Sequence, residues 1–318
     1  APGTQGMGDS CAPSRQMESL VEYEGIGITP AVARGYAVSI TDYQGLGTAG
    51  THTYMVREAQ GRAVLDMARA TKNLKGSGIT ASNPIGLMGY SQGGGAAGAA
   101  AELAGSYAPE LNIKGSAIGA PPADLGKVGK NIDGSLYFAF ATFALLGVAQ
   151  SEGIDPNPHL NAAGKELASQ VENDCVFDLF NYAFKDSGTY TTSGKKLSAL
   201  LDEQPFRAAV ERQRIGRLKL SKKILTDAPV NFIAYDLLEW QGEDWRSHPQ
   251  HQRRAQMEQV VASCASPRLM PSPLLHGDTW QALAEQRRRQ EAAGSVGPHV
   301  AHGDAGPRRQ LVDRQLAV

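Results

Sequence analysis

Gly86-Leu87-Met88-Gly89-Tyr90-Ser91-Gln92-Gly93-Gly94-Gly95 is the stretch on which the fold turns. A short apolar run, Pro84 to Met88, leads into G-x-S-x-G, and a small-residue segment suited to a helix, Gly94 to Leu103, follows. Strand, sharp turn carrying serine, then helix is the order of a nucleophile elbow. The turn holds the serine backbone in a strained conformation and leaves no room for neighbouring side chains, so Gly89 and Gly93 flank it. Ser91 then stands clear of the sheet as candidate nucleophile, and the Gln92 N–H faces a developing oxyanion. G-x-S-x-G alone recurs by chance. The strand before it and the alanine-rich helix after it supply the context that gives it meaning.

Outward from the elbow, the first 235 residues alternate strand and helix signals. Tyr36 to Ile40, Ile113 to Ile118 and Pro229 to Tyr235 read as strands. Arg57 to Leu74, with Ala59, Ala63, Leu65, Met67 and Ala70 at helical spacing, reads as an amphipathic helix. Strands separated by helices predict an α/β-hydrolase fold, a mostly parallel sheet with helices on both faces. Ala123 to Asp227 shows no strand pattern and is expected to form a helical cap. The expected division is a core of residues 1–122 and 228–318 and a cap insertion of residues 123–227.

Composition narrows the function. A chain of 318 residues can bury a large core, and its net charge of −1 argues against a general nucleic-acid surface. The longest apolar run, Leu136 to Ala149, is shorter than the roughly 18–20 residues a membrane span needs. It suits a buried helix or a lipid-contacting cap. No cationic-apolar leader opens the chain, so a signal peptide is expected to be absent from it. From spacing alone, three buried free thiols are the default reading of Cys11, Cys175 and Cys264; in an exported protein Cys11 and Cys175 could pair, leaving Cys264 as the odd thiol.

After Tyr235 the chain changes character. Every Lys, Asn, Ile, Phe and Tyr lies at or before that residue, whereas Trp240 to Val318 holds 10 Arg, 10 Gln and 5 of the 7 His. A core-forming quarter of the chain should not lose its Ile, Phe and Tyr together. Two explanations fit: a polar, partly disordered tail, or a frame shift in the underlying gene. The tail histidines, spaced His248–His251 and His299–His302, lack a third ligand, so no metal site is expected.

Several segments carry a family resemblance. They are Ala1 to Gly6 leading into Asp9-Ser10-Cys11-Ala12-Pro13-Ser14, the elbow itself, and Ser106-Tyr107-Ala108-Pro109-Glu110-Leu111-Asn112-Ile113-Lys114-Gly115. Together they resemble the secretory lipase family. Asp133-Gly134 through Gly147-Val148, Leu160 to Gln170 and Asp174-Cys175 are similar to that family's cap, and the likeness runs from residue 1 to about 236. The resemblance implies an exported enzyme that cleaves triglycerides and other esters through Ser, Asp and His, with no cofactor. Its partners would be acyl esters at a lipid–water interface. It also implies that the chain begins downstream of its relatives, that Cys11 and Cys175 form a disulfide, and that Gln5 joins the Gln92 N–H in the oxyanion hole.

A serine nucleophile needs a base and an acid to orient it, in the order Ser, acid, His. Glu239 falls where the family places its aspartate, with Asp236 and Asp244 as rivals. For the base, a helix around Arg253 to Gln259, a strand Val260 to Ser263 and a helix Thr279 to Ala293 ending at Gly294 would leave His276 in the topological slot. His299 is the second choice. His52 and His159 precede the acid strand and fit the order badly. The family's motif around the base is not recognisable here. The alternative to a serine ester hydrolase is therefore a truncated or frame-shifted, inactive homologue that at most binds acyl chains.

Overall fold

A computed structural model describes residues 1–216, 232–234, 236–266, 269–272, 274–275, 279, 281–282, 285 and 299–300. The chain forms two compact units, Ala1–Lys219 and Leu220–Val318.

In the first unit, strand β1 (Ile85–Tyr90) pairs in parallel with β2 (Ile113–Gly119), Met88 opposite Ala117 and Tyr90 opposite Gly119. Parallel neighbours need a long crossover. Here it contains α4 (Gln92–Tyr107), after the helices α1 (Pro13–Glu18), α2 (Gly25–Ala33) and α3 (Arg57–Asn73). Gln92 to Ala100 is buried without a break, and apart from Gln92 it contains only Gly and Ala. Glycine is a poor helix former, by about 1 kcal/mol against alanine. Packing supplies the stability instead: Ala96 and Ala100 of α4 meet Val64, Leu65 and Ala68 of α3 and Leu87 of β1 in one core. On the other face of β1, Met88 and Tyr90 are exposed.

From Leu125 to Arg212 the elements are helical: α5 (Leu125–Ile132), α6 (Phe138–Glu152), α7 (Ala162–Val171), α8 (Leu197–Leu200), α9 (Phe206–Arg212) and short 3-10 turns. The apolar run expected as a core helix or a lipid-contacting cap is α6. Its Phe138, Phe143 and Leu146 are buried with Tyr54, Leu167, Val171 and Tyr182, each large side chain contributing about 1.5–3 kcal/mol. Helix α7 starts at Ala162 because the Asn161 side chain accepts from the Gly164 N–H at 2.9 Å and caps it. Cys11 and Cys175 are joined by a disulfide, their Cα atoms 5.3 Å apart. Beside it, Met7 N–H donates to Asp174 O at 2.8 Å.

Tyr36 to Ile40 is not a strand. Its alternating residues favour an extended backbone, but a strand exists only through a ladder partner, and among the described residues it has none. Tyr36 and Val38 are exposed accordingly.

The second unit contains β3 (Phe232–Ala234), β4 (Glu239–Trp240), β5 (Glu243–Asp244), α10 (Gln250–Ser263), β6 (Leu269–Pro271), β7 (Leu274–Leu275) and β8 (His299–Val300). β3 pairs in parallel with β6, β7 in parallel with β8, and β4 with β5 as a tight antiparallel hairpin. Val260 to Ser263, expected as a strand, is the last turn of α10. Met257 and Val261, four residues apart, form its buried face and carry the helix through. Of Pro229 to Tyr235 only Phe232–Ala234 is described, and most of Thr279 to Gly294 lies outside the described residues. No described helix is long and apolar enough to cross a membrane.

Candidate active site

Ser91 joins β1 to α4 at φ 55° and ψ −120°. A non-glycine residue held there stores about 1–3 kcal/mol, which the surroundings must offset. They do so at both ends: Ser91 N–H donates to Gly119 O at 3.0 Å, and Ser91 O accepts the Gly95 N–H at 3.0 Å. A Cβ at Gly89 would lie 2.1 Å from Gly93 O, and one at Gly93 would lie 2.1 Å from Ala1 O. Neither position admits a side chain. Gln92 opens α4, so its N–H has no intrahelical acceptor and stands at the positive end of the helix.

The segment Ala1 to Gln5 runs beside the elbow; the Cβ position of Gly3 is 3.5 Å from Tyr90 O, and that of Gly93 is 2.8 Å from Pro2 O. Three consecutive residues hold three others in reverse order. Glu24 Oε1 accepts the Gly3 N–H at 2.8 Å, the Tyr23 hydroxyl donates to Thr4 O at 2.9 Å, and Gln5 Nε2 donates to Glu22 Oε1 at 3.2 Å. Gln5 O accepts the Val176 N–H at 2.7 Å, next to the disulfide. Gln5 is 1% exposed, and among the described residues nothing accepts from its backbone N–H. Burial raises the Glu24 pKa, with the Glu22 carboxylate adding to it against the Gly3 N–H.

His52, set aside on chain order, is buried against the same place. Its Nδ1 is 3.1 Å from Gln44 O and its Nε2 is 3.2 Å from Gln92 Nε2. Burial pushes its pKa from 6.5 down to about 4, against a smaller opposing effect of the Gln44 carbonyl. The unfolded chain therefore binds a proton that the folded chain refuses between those two values. Stability is full above pH 6.5 and falls as pH drops toward 4, by about 3 kcal/mol from this group. Denaturant melts across that range should show the loss in the native protein and a correspondingly flatter profile in His52→Phe. Equal slopes would contradict the assignment.

In the second unit Glu239 is exposed and its residue pairs with Asp244 across the hairpin. Asp236 is half-buried and held by Arg253, Nε to Oδ1 and Nη2 to Oδ2 both at 2.9 Å. Asp244 is gripped by Arg246, whose guanidinium and backbone N–H hold its pKa at about 2. Glu239 is thus the least committed of the three carboxylates. His276 lies outside the described residues. His299 lies on β8, and its side chain is outside them. Two charged clefts among the described residues, of 390 and 560 Å³, are lined by residues such as Lys130 and Arg207 and by Arg57 and Tyr107; Ser91 lines neither.

A sequence model described as secretory lipase matches residues 12–236. The chain belongs to the secretory lipase family. Lipase 6 of Candida albicans is 38% identical over 219 residues, covering 64% of this chain and 44% of its own length. A Mycobacterium tuberculosis protein named a probable inactive lipase is 32% identical over 195 residues, 58% of this chain and 43% of its own. The chain spans less than half the length of these curated relatives. Among solved structures, Candida antarctica lipase A in its closed state superposes with a TM-score of 0.61 at 20% identity, over 99% of this chain and 77% of that one. A mutant of the rice cell wall degrading esterase LipA from Xanthomonas oryzae gives 0.58 at 16% identity, over 99% and 80%. The fold is that of the α/β-hydrolases.

Proposed function

We propose that the protein is a secreted, serine-dependent carboxylic ester hydrolase that acts on triacylglycerols or other acyl esters through an acyl-enzyme on Ser91. The observation that carries this reading is the elbow, a serine at positive φ between two glycines whose places admit no side chain. Ser91 Oγ attacks the ester carbonyl, and its proton passes to a histidine, His276 or, as second choice, His299. Glu239 orients that base. The tetrahedral oxyanion accepts from the N–H groups of Gln92 and Gln5. Collapse expels the alcohol with the histidine's proton, and water then releases the acid. Residues 123–227 serve as the cap over a core of residues 1–122 and 228–318. Relatives named secreted triacylglycerol lipases, from Malassezia globosa and Malassezia furfur, support both the substrate class and export to a lipid–water interface.

A second reading, an inactive homologue that binds acyl chains, is favoured by the composition after Tyr235 and by the name of the Mycobacterium tuberculosis relative. Short-chain ester hydrolysis by the full chain and by a chain cut after Tyr235 separates the two. An active full chain that dies on truncation supports the hydrolase, and His276→Ala against His299→Ala then identifies the base. Two equally inert proteins support the second reading.

A further inference from the structure

His52 is 1% exposed, stands outside the order of nucleophile, acid and base, and touches the residue that follows the nucleophile. Elementary hydrogen-bond chemistry fixes its state. The Gln44 carbonyl beside Nδ1 can only accept, so Nδ1 carries the hydrogen. In a neutral imidazole Nε2 is then a lone pair, and the group facing it at 3.2 Å must be the donating end of the Gln92 amide. Burial keeps the ring neutral at pH 7. One backbone carbonyl therefore sets the tautomer, and the tautomer sets the direction of the Gln92 amide.

The ring has aromatic neighbours that continue this chain of contacts. Tyr43 stacks at 6.0 Å between centroids, and Tyr54 meets it edge-on at 5.9 Å. Both tyrosines reach the segment on the other side of the elbow. The Tyr43 hydroxyl donates to Pro2 O at 2.8 Å, and the Tyr54 hydroxyl is 2.7 Å from Thr4 Oγ1. One buried cluster thus touches Gln92 on one side and Pro2 and Thr4 on the other.

We propose that His52 is a positioning residue for the oxyanion hole, locking Gln92 and the Pro2–Gln5 segment in register so that the Gln92 and Gln5 N–H groups converge on one oxygen. This rests on the reading of Ser91 as nucleophile and of Gln92 and Gln5 as oxyanion donors. The role gives His52 no contact with substrate. It acts through preorganisation, where a single donor is worth about 10²–10³ in rate.

The test uses the full chain. ¹⁵N-histidine spectra at pH 7, with His52 assigned by its absence from His52→Phe, should show the Nδ1–H tautomer. A fluorophosphonate should label Ser91 about 10- to 100-fold more slowly in His52→Phe, which keeps the aromatic packing, and in Gln92→Met, which keeps the volume. With a short-chain ester, kcat should fall similarly while KM stays within about threefold. Because the two residues act as one unit, the double variant should be no slower than the slower single one. An Nε2–H tautomer or an imidazolium overturns the proposal even if the variants fail to fold. Wild-type labelling rates in both variants, or multiplicative losses in the double variant, overturn the positioning role alone. A wild-type chain that leaves Ser91 unlabelled overturns the nucleophile reading, and the positioning role falls with it.

Discussion

Ser91→Ala should lower kcat for a short-chain ester by a factor on the order of 10⁶, with KM changed by less than about threefold. In the proposed mechanism the substitution removes the atom that forms the acyl bond and leaves the oxyanion donors in place, so ground-state binding survives. Residual turnover would come from those donors, which in other serine hydrolases still supply about 10³ over water. The fold should be indifferent to the change, because alanine meets the same penalty at φ 55° that serine already bears. A melting temperature within a few degrees of the parent is therefore part of the expected result. A loss smaller than about tenfold would mean that another residue attacks the ester.

The second large effect is on stability. The Cys11–Cys175 disulfide closes a loop with a sequence separation of 164. Its removal as Cys11→Ala/Cys175→Ala should cost about 3–5 kcal/mol, because the unfolded chain regains the freedom that the cross-link denied it. For a chain of this size that corresponds to a fall of roughly 5–8 °C in Tm. The bond also sits where Gly6 bridges to Cys175 and the Val176 N–H meets Gln5 O. Below the lowered Tm, labelling of Ser91 should therefore slow as well. A double variant that melts with the parent would contradict the structural role.

The elbow was legible in the sequence because its chemistry is local. Two glycines, a serine and a small-residue helix occupy adjacent positions, and the clashes that demand them arise within a few residues or against one neighbouring segment. α4 and α6 were legible as unbroken small-residue and apolar runs, whereas for α3 the helix was legible but its face was not: of Ala59, Ala63, Leu65, Met67 and Ala70 only Leu65 is buried, and the buried face is Gln60, Gly61, Val64, Leu65 and Ala68. Tyr36 to Ile40 failed for the opposite reason: alternation reports a preference for extension, and the pairing that makes a strand depends on residues elsewhere. Val260 to Ser263 failed because two adjacent valines read equally as strand or as the end of a helix, and only the i, i+4 partnership of Met257 with Val261 decides.

The wall around the elbow was invisible for a different reason. Gly3, Thr4 and Gln5 meet Glu24, Tyr23 and Glu22, and His52 meets Gln92 across 40 positions. Such contacts have no period and no motif. His52 carried one usable signal, a lone histidine among aromatic residues before the elbow, but chain order addressed only whether it could be the base. The composition break after Tyr235 was plain from residue counts, and it bears on the acid and the histidine without touching the evidence for Ser91.

The most direct test of the account is to catch the acyl-enzyme. The full chain is mixed with excess p-nitrophenyl butyrate, quenched in acid within the first turnovers, digested and mapped by mass spectrometry. The account predicts a butyryl group on the peptide containing Ser91 and on no other, absent from Ser91→Ala. Release of p-nitrophenol with the acyl group on a different residue, or steady hydrolysis that survives in Ser91→Ala, would contradict it.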